Sequence, residues 1–596
     1  MNRGIYLSIP EPDDDHLKIT SYTIGEFYDE ILAKENKELY ENLGIAYYKY
    51  KNFLKKEHNQ DGKNEFHGNR DFYYLVKYVA RKTVNLGIKK IDKHILENIS
   101  KDSIERNFGG LQFNDLNKTT SIGKFKYFLS EYDENLNPTI KYDVMERIKD
   151  NLNDFENRDL LIISKSSVSL SLIITILSGT KKVCSWVIGS QFQNDLQSEE
   201  YSLKILNKIK MYMEQGRFLI LKNLESVYPV LYDLFNKNFI QVGGKNYASI
   251  AIGSINVLSF VNETFRCIVT VDENQIDNEE PSFLNRFEKH ILSYDNLLTC
   301  NYKEESIKIH NVLNEMIYYD KNIFKGINYS LKHIFISSNL EEIKELVYKV
   351  QEKDIYFIDA MYEIINKISL ILPQDILLCQ RLNGFQSKYQ EYSNMIINEY
   401  NKGEHTNLKK FLEKMINTKN IVYTFSNILD YIDNLDNIEN KIIGRISLGN
   451  IKHLTIGDYK SEKEFEESID FFLNNKEKKI CLIKFKPNEG NFMNYIQYLI
   501  ENKEKKCLIE NNKKFFIFIV YLSRINNLDL INIDKKSKSE KNNINNKILK
   551  ETISLSSNYY QIFIDNLNGD GNLTIDDILN KNNSELYERS LNFDLN

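Results

Sequence analysis

The stretch Arg217–His290, RFLILKNLESVYPVLYDLFNKNFIQVGGKNYASIAIGSINVLSFVNETFRCIVTVDENQIDNEEPSFLNRFEKH, decides how this chain folds. Phe218–Leu221 is an apolar run that follows a glycine and is too short for a helix, so it reads as a buried parallel strand. Phe265–Val271 repeats that signature. Between them, Ile240–Phe260 alternates around Gly243-Gly244 and Gly253-Ser254, which is hairpin chemistry. Ser226–Asn236 and Pro281–His290 read as helices, the second with its proline near the start, where a missing amide is harmless.

The first strand ends in Asn223-Leu224-Glu225. Open α/β sheets bind ligands at the carboxyl ends of their strands, which makes Asn223 and Glu225 candidate site residues. In phosphate-transferring ATPases an acid at this place helps hold Mg²⁺, and a following Glu orients the attacking water. Glu225 suits the second role. Asn223 replaces the usual Asp and weakens the first; on spacing alone it is better read as the N-cap of Ser226–Asn236.

Upstream, Leu160–Ile163 is another buried strand, followed by Ser164-Lys165-Ser166-Ser167 and a helical run, Val168–Leu177. A phosphate loop needs glycines so that amides can curl around the phosphates, a Lys for their charge and a Ser or Thr for Mg²⁺. This loop has the Lys and Ser but no Gly. Val187-Ile188-Gly189-Ser190-Gln191-Phe192 follows a further strand and leads to an amphipathic helix, Leu203–Gln215. Strands near 161, 186, 219 and 268 separated by helices predict a mostly parallel sheet.

Before this module the chain is helical, with apolar residues at helical spacing over Glu26–Tyr50 and Asp71–Val84. Asn107-Phe108-Gly109-Gly110 marks a boundary. After it, Leu340–Gln351, Tyr362–Ile371 and Leu408–Ile416 repeat the helical spacing. Another α/β unit then follows, with strands expected at Asn420–Thr424, Lys479–Phe485 and Phe515–Leu522 and a helix at Lys463–Phe472. No glycine-rich loop precedes a helix there. Near the end, 566–577 nearly fits a calcium loop, but its first position is Asn and its twelfth is Asp rather than a bidentate Glu. Tyr559–Ile564 reads as a strand where a calcium loop needs a flanking helix, so a Ca²⁺ site is not expected.

Composition excludes several classes. The chain has 596 residues, 42% hydrophobic and 27% charged, as globular chains do. A net charge of −6 argues against nucleic acid as a partner. The run Lys535–Lys541 reads as a solvated loop. Six cysteines are dispersed without a C-x-x-C pair, which gives neither a zinc site nor a RING and fits a reducing, cytoplasmic compartment. No apolar run is long enough to span a bilayer, and acidic Glu11–Asp15 stands where a signal peptide needs an apolar core.

Several of these blocks resemble the mysterin family of giant AAA+ E3 ubiquitin ligases. The family shows N-L-x-x-L-Y-x-x-L-Y-D, a G-G-x-x-Y hairpin and P-x-x-x-N-R-x-E-K-H in this order; the chain matches with Val227 at the first Leu of the first block. Val187–Phe192 matches [IV]-x-G-S-x-F, Phe66–Tyr73 matches F-x-G-x-R-D-x-Y, and Met1–Ile5 is similar to the family's M-N-R-G-I segment. The resemblance implies the end of a third AAA+ module, then the fourth and fifth. It places a helical lid over 1–115, an AAA+ large subdomain over 116–300, a second lid over 301–415 and a catalytically inactive AAA+-like α/β subdomain over 416–596. Leu522-Ser523-Arg524 stands where that last module's acids belong.

The same resemblance assigns roles. Lys165 and Ser166 align with the phosphate-binding pair of a degenerate loop, Arg70 with a sensor facing the nucleotide, and Arg3 and Arg286 with arginine fingers offered to neighbouring modules. Spacing alone gives blander readings: an ion pair of Arg70 with Asp71 or Glu65, and of Arg286 with Glu288 or Glu279. The cofactors implied are ATP and Mg²⁺. The partners are adjoining AAA+ modules and, through a RING elsewhere, the ubiquitin machinery. The expectation is an AAA+ core segment that binds ATP with slow hydrolysis and passes nucleotide state to a ligase module outside these residues; the alternative is an AAA+-fold scaffold that no longer binds nucleotide. A truncated gene model and a split gene both fit the abrupt start.

Overall fold

The computed structural model describes residues 11–57, 65–87, 93–112, 120–130, 143–164, 173, 177, 183–252, 255–318, 340–353, 355–369, 390–402, 421–426, 451–475, 477–478, 480–485, 492–507, 514–521 and 561–563. They divide between two compact units. Met1–Lys165, Leu172–Gly189 and Glu199–Asn296 make the first; Ser166–Ser171, Ser190–Ser198 and Leu297–Asn596 make the second.

The first unit opens with helices α1 (Asp14–Tyr28), α2 (Glu30–Glu35), α3 (Lys37–Glu57), α4 (Asn69–Asn85), α5 (Lys93–Asn107), α6 (Ser121–Ser130) and α7 (Val144–Asn153). Their ends carry the expected caps. Asp13 accepts the His16 amide at 2.9 Å to start α1, and Asp71 accepts the Gly68 amide at 2.9 Å to start α4. The strands are β1 (Leu160–Ser164), β2 (Cys184–Ile188), β3 (Phe218–Lys222), β4 (Ile240–Val242), β5 (Lys245–Ile252), β6 (Ile255–Val261), β7 (Arg266–Asp272) and β8 (Glu288–Leu292). Five of them form one sheet in the order β2-β3-β7-β1-β8, parallel throughout. Every residue of β1 and β3 is buried, as a sheet covered on both faces demands. Leu17, Leu43, Phe72 and Phe108 of the helical segment share one hydrophobic core with Leu161, Leu221 and Val269 of the sheet.

β4, β5 and β6 form a separate antiparallel sheet. Gly243 and Gly244 join β4 to β5 with φ of 59° and 74°, the pair of left-handed residues that a tight two-residue hairpin turn requires. The turn at Gly253-Ser254 lies outside the described residues.

Two expectations fail here. Pro281–His290 is not one helix: the helix stops at Leu284, and Glu288 begins β8. Ser226–Asn236 is broken as well, into a 3₁₀ turn over Tyr228–Leu231 and a single α turn over Tyr232–Phe235. Pro229 has no amide to donate and sits in the first turn, so the helix starts after Val227 and Asn223 does not cap it.

In the second unit, helices Cys300–Tyr318, Leu340–Gln351, Phe357–Ser369 and Gln390–Lys402 enclose Ile309, Val312, Leu346, Ile364 and Ile396. The expected helix at Leu408–Ile416 and the loop at 566–577 lie outside the described residues. Strands β9 (Ile421–Ser426), β10 (Ile451–Thr455), β11 (Ile480–Phe485), β12 (Phe515–Tyr521) and β13 (Gln561–Phe563) form a parallel sheet in the order β10-β11-β12-β9-β13. With the hairpin set aside, both sheets have the same winding: the first strand sits between the fourth and fifth, and the second lies at the far edge. No helix among the described residues is long and apolar enough to cross a membrane.

Candidate functional site

In the first sheet the winding reverses at β1, whose successors β2, β3 and β7 lie on one side and β8 on the other. The crevice beyond the carboxyl ends at such a point is where these sheets bind ligands. Three polar side chains close the strands there. Ser164 ends β1, Lys222 ends β3 and Asp272 ends β7. Ser164 Oγ donates to Asp272 Oδ1 at 2.9 Å, and Lys222 Nζ approaches the same oxygen at 3.4 Å. Sequence reasoning missed Lys222 and Asp272, although each is a polar residue closing an apolar run, the signal that singled out Asn223.

Beside this cluster the backbone is tightly fitted. The Gly189 amide donates to the Lys222 carbonyl at 2.8 Å, and a Cβ on Gly189 would lie 1.6 Å from the Asn223 carbonyl oxygen. Only glycine fits, which accounts for it in the Val187–Phe192 block. Asn223 itself takes φ 55° and turns the chain off the sheet, leaving Glu225 exposed. Glu225 stands near Glu279: burial first, and then the charges of Glu225 and Glu280, push the Glu279 carboxyl up to about 7. Lys165, Ser166 and Arg3 lie outside the described residues.

The AAA+ resemblance implies ATP with Mg²⁺. Mg²⁺ needs carboxylate oxygens and waters in a close octahedron. The carboxylate that ends β7 is already neutralised by an ammonium, Asn223 offers only a neutral amide, and no group of three or more His, Cys, Asp or Glu among the described residues suits a metal. A divalent ion does not fit these residues. An anionic phosphate fits Lys222, whose ammonium has Asp272 as its partner among the described residues.

Two cations from distant parts of the sequence meet on another face. Arg70 Nη1 donates to Asn236 Oδ1 at 2.7 Å, and Arg286 Nη1 donates to the same oxygen at 2.5 Å. The Arg286 guanidinium also stacks on Tyr232, 3.7 Å from the ring centroid. Neither arginine makes an ion pair among the described residues, so Asp71, Glu65, Glu279 and Glu288 are not their partners. Burial, and next the charge of Arg70, lower the Arg286 pKa, and its Nε is buried without a hydrogen-bond partner among the described residues. Two like charges held side by side by a neutral amide make a receptor for an anion.

A buried ionic framework sets that pair. Asp71, beside Arg70, accepts Arg158 at 2.7 Å and Lys289 at 2.8 Å, all three fully buried or nearly so. Burial pushes the Asp71 carboxyl up, but Lys289 and Arg158 outweigh it and the pKa ends below the ordinary value. Asn285, beside Arg286, takes the Gly68 amide on its side chain at 3.1 Å and the Arg158 guanidinium on its carbonyl at 3.2 Å. Next, Glu288 is held by Arg106 of α5 at 3.0 Å and by His290 at 3.1 Å. The start of α4 is thus stitched to the start of β8, and Arg70 and Arg286 project from the two ends of the seam.

Residues 149–298, from α7 to just past β8, match the family model described as the RNF213 AAA domain. Over these residues the chain is similar to the RNF213, or mysterin-like, family. It is 24% identical over 575 residues to the human E3 ubiquitin-protein ligase RNF213, covering 88% of this chain. The mouse protein of that name is also 24% identical, over 89% of this chain. The Danio rerio E3 ubiquitin-protein ligase rnf213-beta is 28% identical over 300 residues, 49% of this chain. The RNF213-like chain spans 10% of the length of the human and mouse relatives and 5% of the zebrafish one. The RNF213 AAA match holds Asn223, Glu225 and Arg286, whereas Arg70 comes from the helices before it.

Proposed function

We propose that this chain is a nucleotide-responsive segment of the AAA+ core of an RNF213-like E3 ubiquitin ligase. It binds ATP weakly at the crevice beyond β1 and β3, with Lys165 and Ser166 on the phosphates, Lys222 closing the site, Asn223 bordering it, and Glu225 positioned to orient water for slow hydrolysis. It offers Arg70 and Arg286, and Arg3 in the same capacity, to the phosphates of a nucleotide held by a neighbouring module. Nucleotide state then passes to a ligase element elsewhere in the assembly. The observation that carries this reading is the pairing of Arg70 and Arg286 on the Asn236 oxygen. Holding two guanidinium groups together costs free energy unless an anion is due there.

A second reading, a scaffold of AAA+ modules that no longer bind nucleotide, is favoured by one observation: the Lys222–Asp272 pair neutralises the crevice where Mg²⁺ belongs. The two part in one experiment. ATP at about a hundred times its dissociation constant stabilises a binding protein by about 2.7 kcal/mol. The chain's one tryptophan, Trp186, lies in β2, so its fluorescence reports unfolding of the first unit. ATP is expected to raise that transition in the wild type and not in Lys165→Ala; no shift in the wild type leaves the scaffold reading.

A further inference from the structure

We propose that Lys222 is a built-in replacement for the divalent ion, so that ATP docking at the crevice beyond β1 and β3 is met by the Lys222 ammonium and binds without Mg²⁺. This rests on the nucleotide reading above and goes beyond it by naming the counter-ion.

The argument is one of charge and position. Lys222 is the last residue of β3, hydrogen-bonded into the sheet between β2 and β7, so its backbone cannot move aside. It is 8% exposed, and its ammonium sits 3.4 Å from Asp272 Oδ1, at the far end of hydrogen-bond range. A lysine carries three donors, and no second partner for this one occurs among the described residues. Asp272 is already served by the Ser164 hydroxyl at 2.9 Å. The ammonium can therefore turn from Asp272 to a phosphate oxygen while the carboxylate keeps a partner. A Mg²⁺ ion bound to Asp272 would face the same ammonium at close range, and the like charges repel. One cation occupies the place, and the covalently attached one is always present. Mg²⁺ sites in phosphate-binding proteins use one or two protein carboxylates plus the phosphates; here that carboxylate is taken.

The test uses the full chain and measures ATP affinity by titration calorimetry, once with excess Mg²⁺ and once with excess EDTA. The wild type is expected to bind with dissociation constants within about threefold of each other in the two conditions. Lys222→Met is expected to weaken binding about tenfold or more in EDTA and, with Asp272 released, to regain a preference for Mg²⁺; Lys222→Arg should keep metal-free binding. If Lys222→Met does not fold, Asp272→Asn serves instead: it frees the ammonium and should tighten metal-free ATP binding, and weakening would overturn the proposal. Wild-type binding that is about tenfold or more tighter with Mg²⁺ overturns the proposal and leaves the nucleotide reading standing. Absence of binding in both conditions overturns the nucleotide reading and this inference with it.

Discussion

Arg106→Met breaks the joint between α5 and β8, and its cost can be worked from the structure. Arg106 is 1% exposed and Glu288 is wholly buried. Burial pushes the Glu288 carboxyl up, but Arg106 and then His290 outweigh it and hold it at about 2, against an ordinary 4.5. A depression of that size corresponds to roughly 3 kcal/mol of differential interaction with the charged form. Because the folded pKa lies below the unfolded one, this stability is present above about 4.5 and is lost as pH falls towards 2. Removing the guanidinium leaves Glu288 with Asn151 at 2.7 Å, Asn157 at 3.0 Å and His290, none of them a fixed charge, while Asp154 keeps Arg81 at 2.6 Å. An uncompensated buried carboxylate costs about 3–5 kcal/mol at pH 7. For a unit of this size that lowers the Trp186 transition by on the order of 10 °C. At pH 5 the loss shrinks, because Glu288 can now take a proton in the folded state. Glu288→Gln in the Arg106→Met background recovers part of it at pH 7. A loss below about 1 kcal/mol, or one that is the same at pH 5 and pH 8, refutes the claim that this pair joins α5 to β8.

Other perturbations test neighbouring parts of the site. Gly189→Ala forces a methyl to 1.6 Å from a backbone oxygen; the chain must shift at the end of β2, with a loss of about 3 kcal/mol or more seen as a lowered Trp186 transition. Glu279→Gln stabilises the first unit at pH 8 and has no effect at pH 4. The Glu279 carboxyl is raised to about 7, so its ionisation costs stability as pH climbs from about 4.5 through 7. Since the group is only half-buried, the gain is on the order of 1 kcal/mol after solvent screening, read from transitions at the two pH values. Asn236→Asp places a carboxylate between Arg70 and Arg286. It should stabilise the unit by about 1 kcal/mol or more in low salt, with the gain fading in high salt, and abolish any stabilisation by inorganic phosphate. A variant less stable than the wild type would show that the two guanidiniums are not an anion receptor.

The apolar strands were legible because their burial is written in their own residues. Leu160–Ile163, Phe218–Leu221, Phe265–Val271 and Phe515–Leu522 each announce a covered strand, and their order announces a parallel sheet. β8 was not legible, because Glu288, Lys289 and His290 look like the solvent face of a helix. What makes them strand residues is Arg106 and Asp71, which lie 182 and 218 positions away from their partners Glu288 and Lys289. β10 was missed for a related reason: Ile451-Lys452-His453-Leu454-Thr455 carries too few apolar residues to mark a strand by itself.

The candidate site divides along the same line. Arg70 and Arg286 were each identifiable as cations with blander ion-pair readings beside them in sequence, Asp71 or Glu65 for the first and Glu288 or Glu279 for the second; none of these pairs forms among the described residues, and Asp71 and Glu288 are consumed by Lys289, Arg158 and Arg106. The same residues that hide β8 from periodicity therefore strip the two arginines of their local partners and leave Asn236 as their shared bonded acceptor. That is a physical reason for burying so many charges in one seam. Without Arg106, Arg158 and Lys289, the Asp71 and Glu288 carboxylates would lose their cations and would compete with Asn236 for Arg70 and Arg286. The second sheet keeps the winding of the first, because winding follows from apolar strands and packed helices, and the residues that close the strands can differ without disturbing the sheet beneath them.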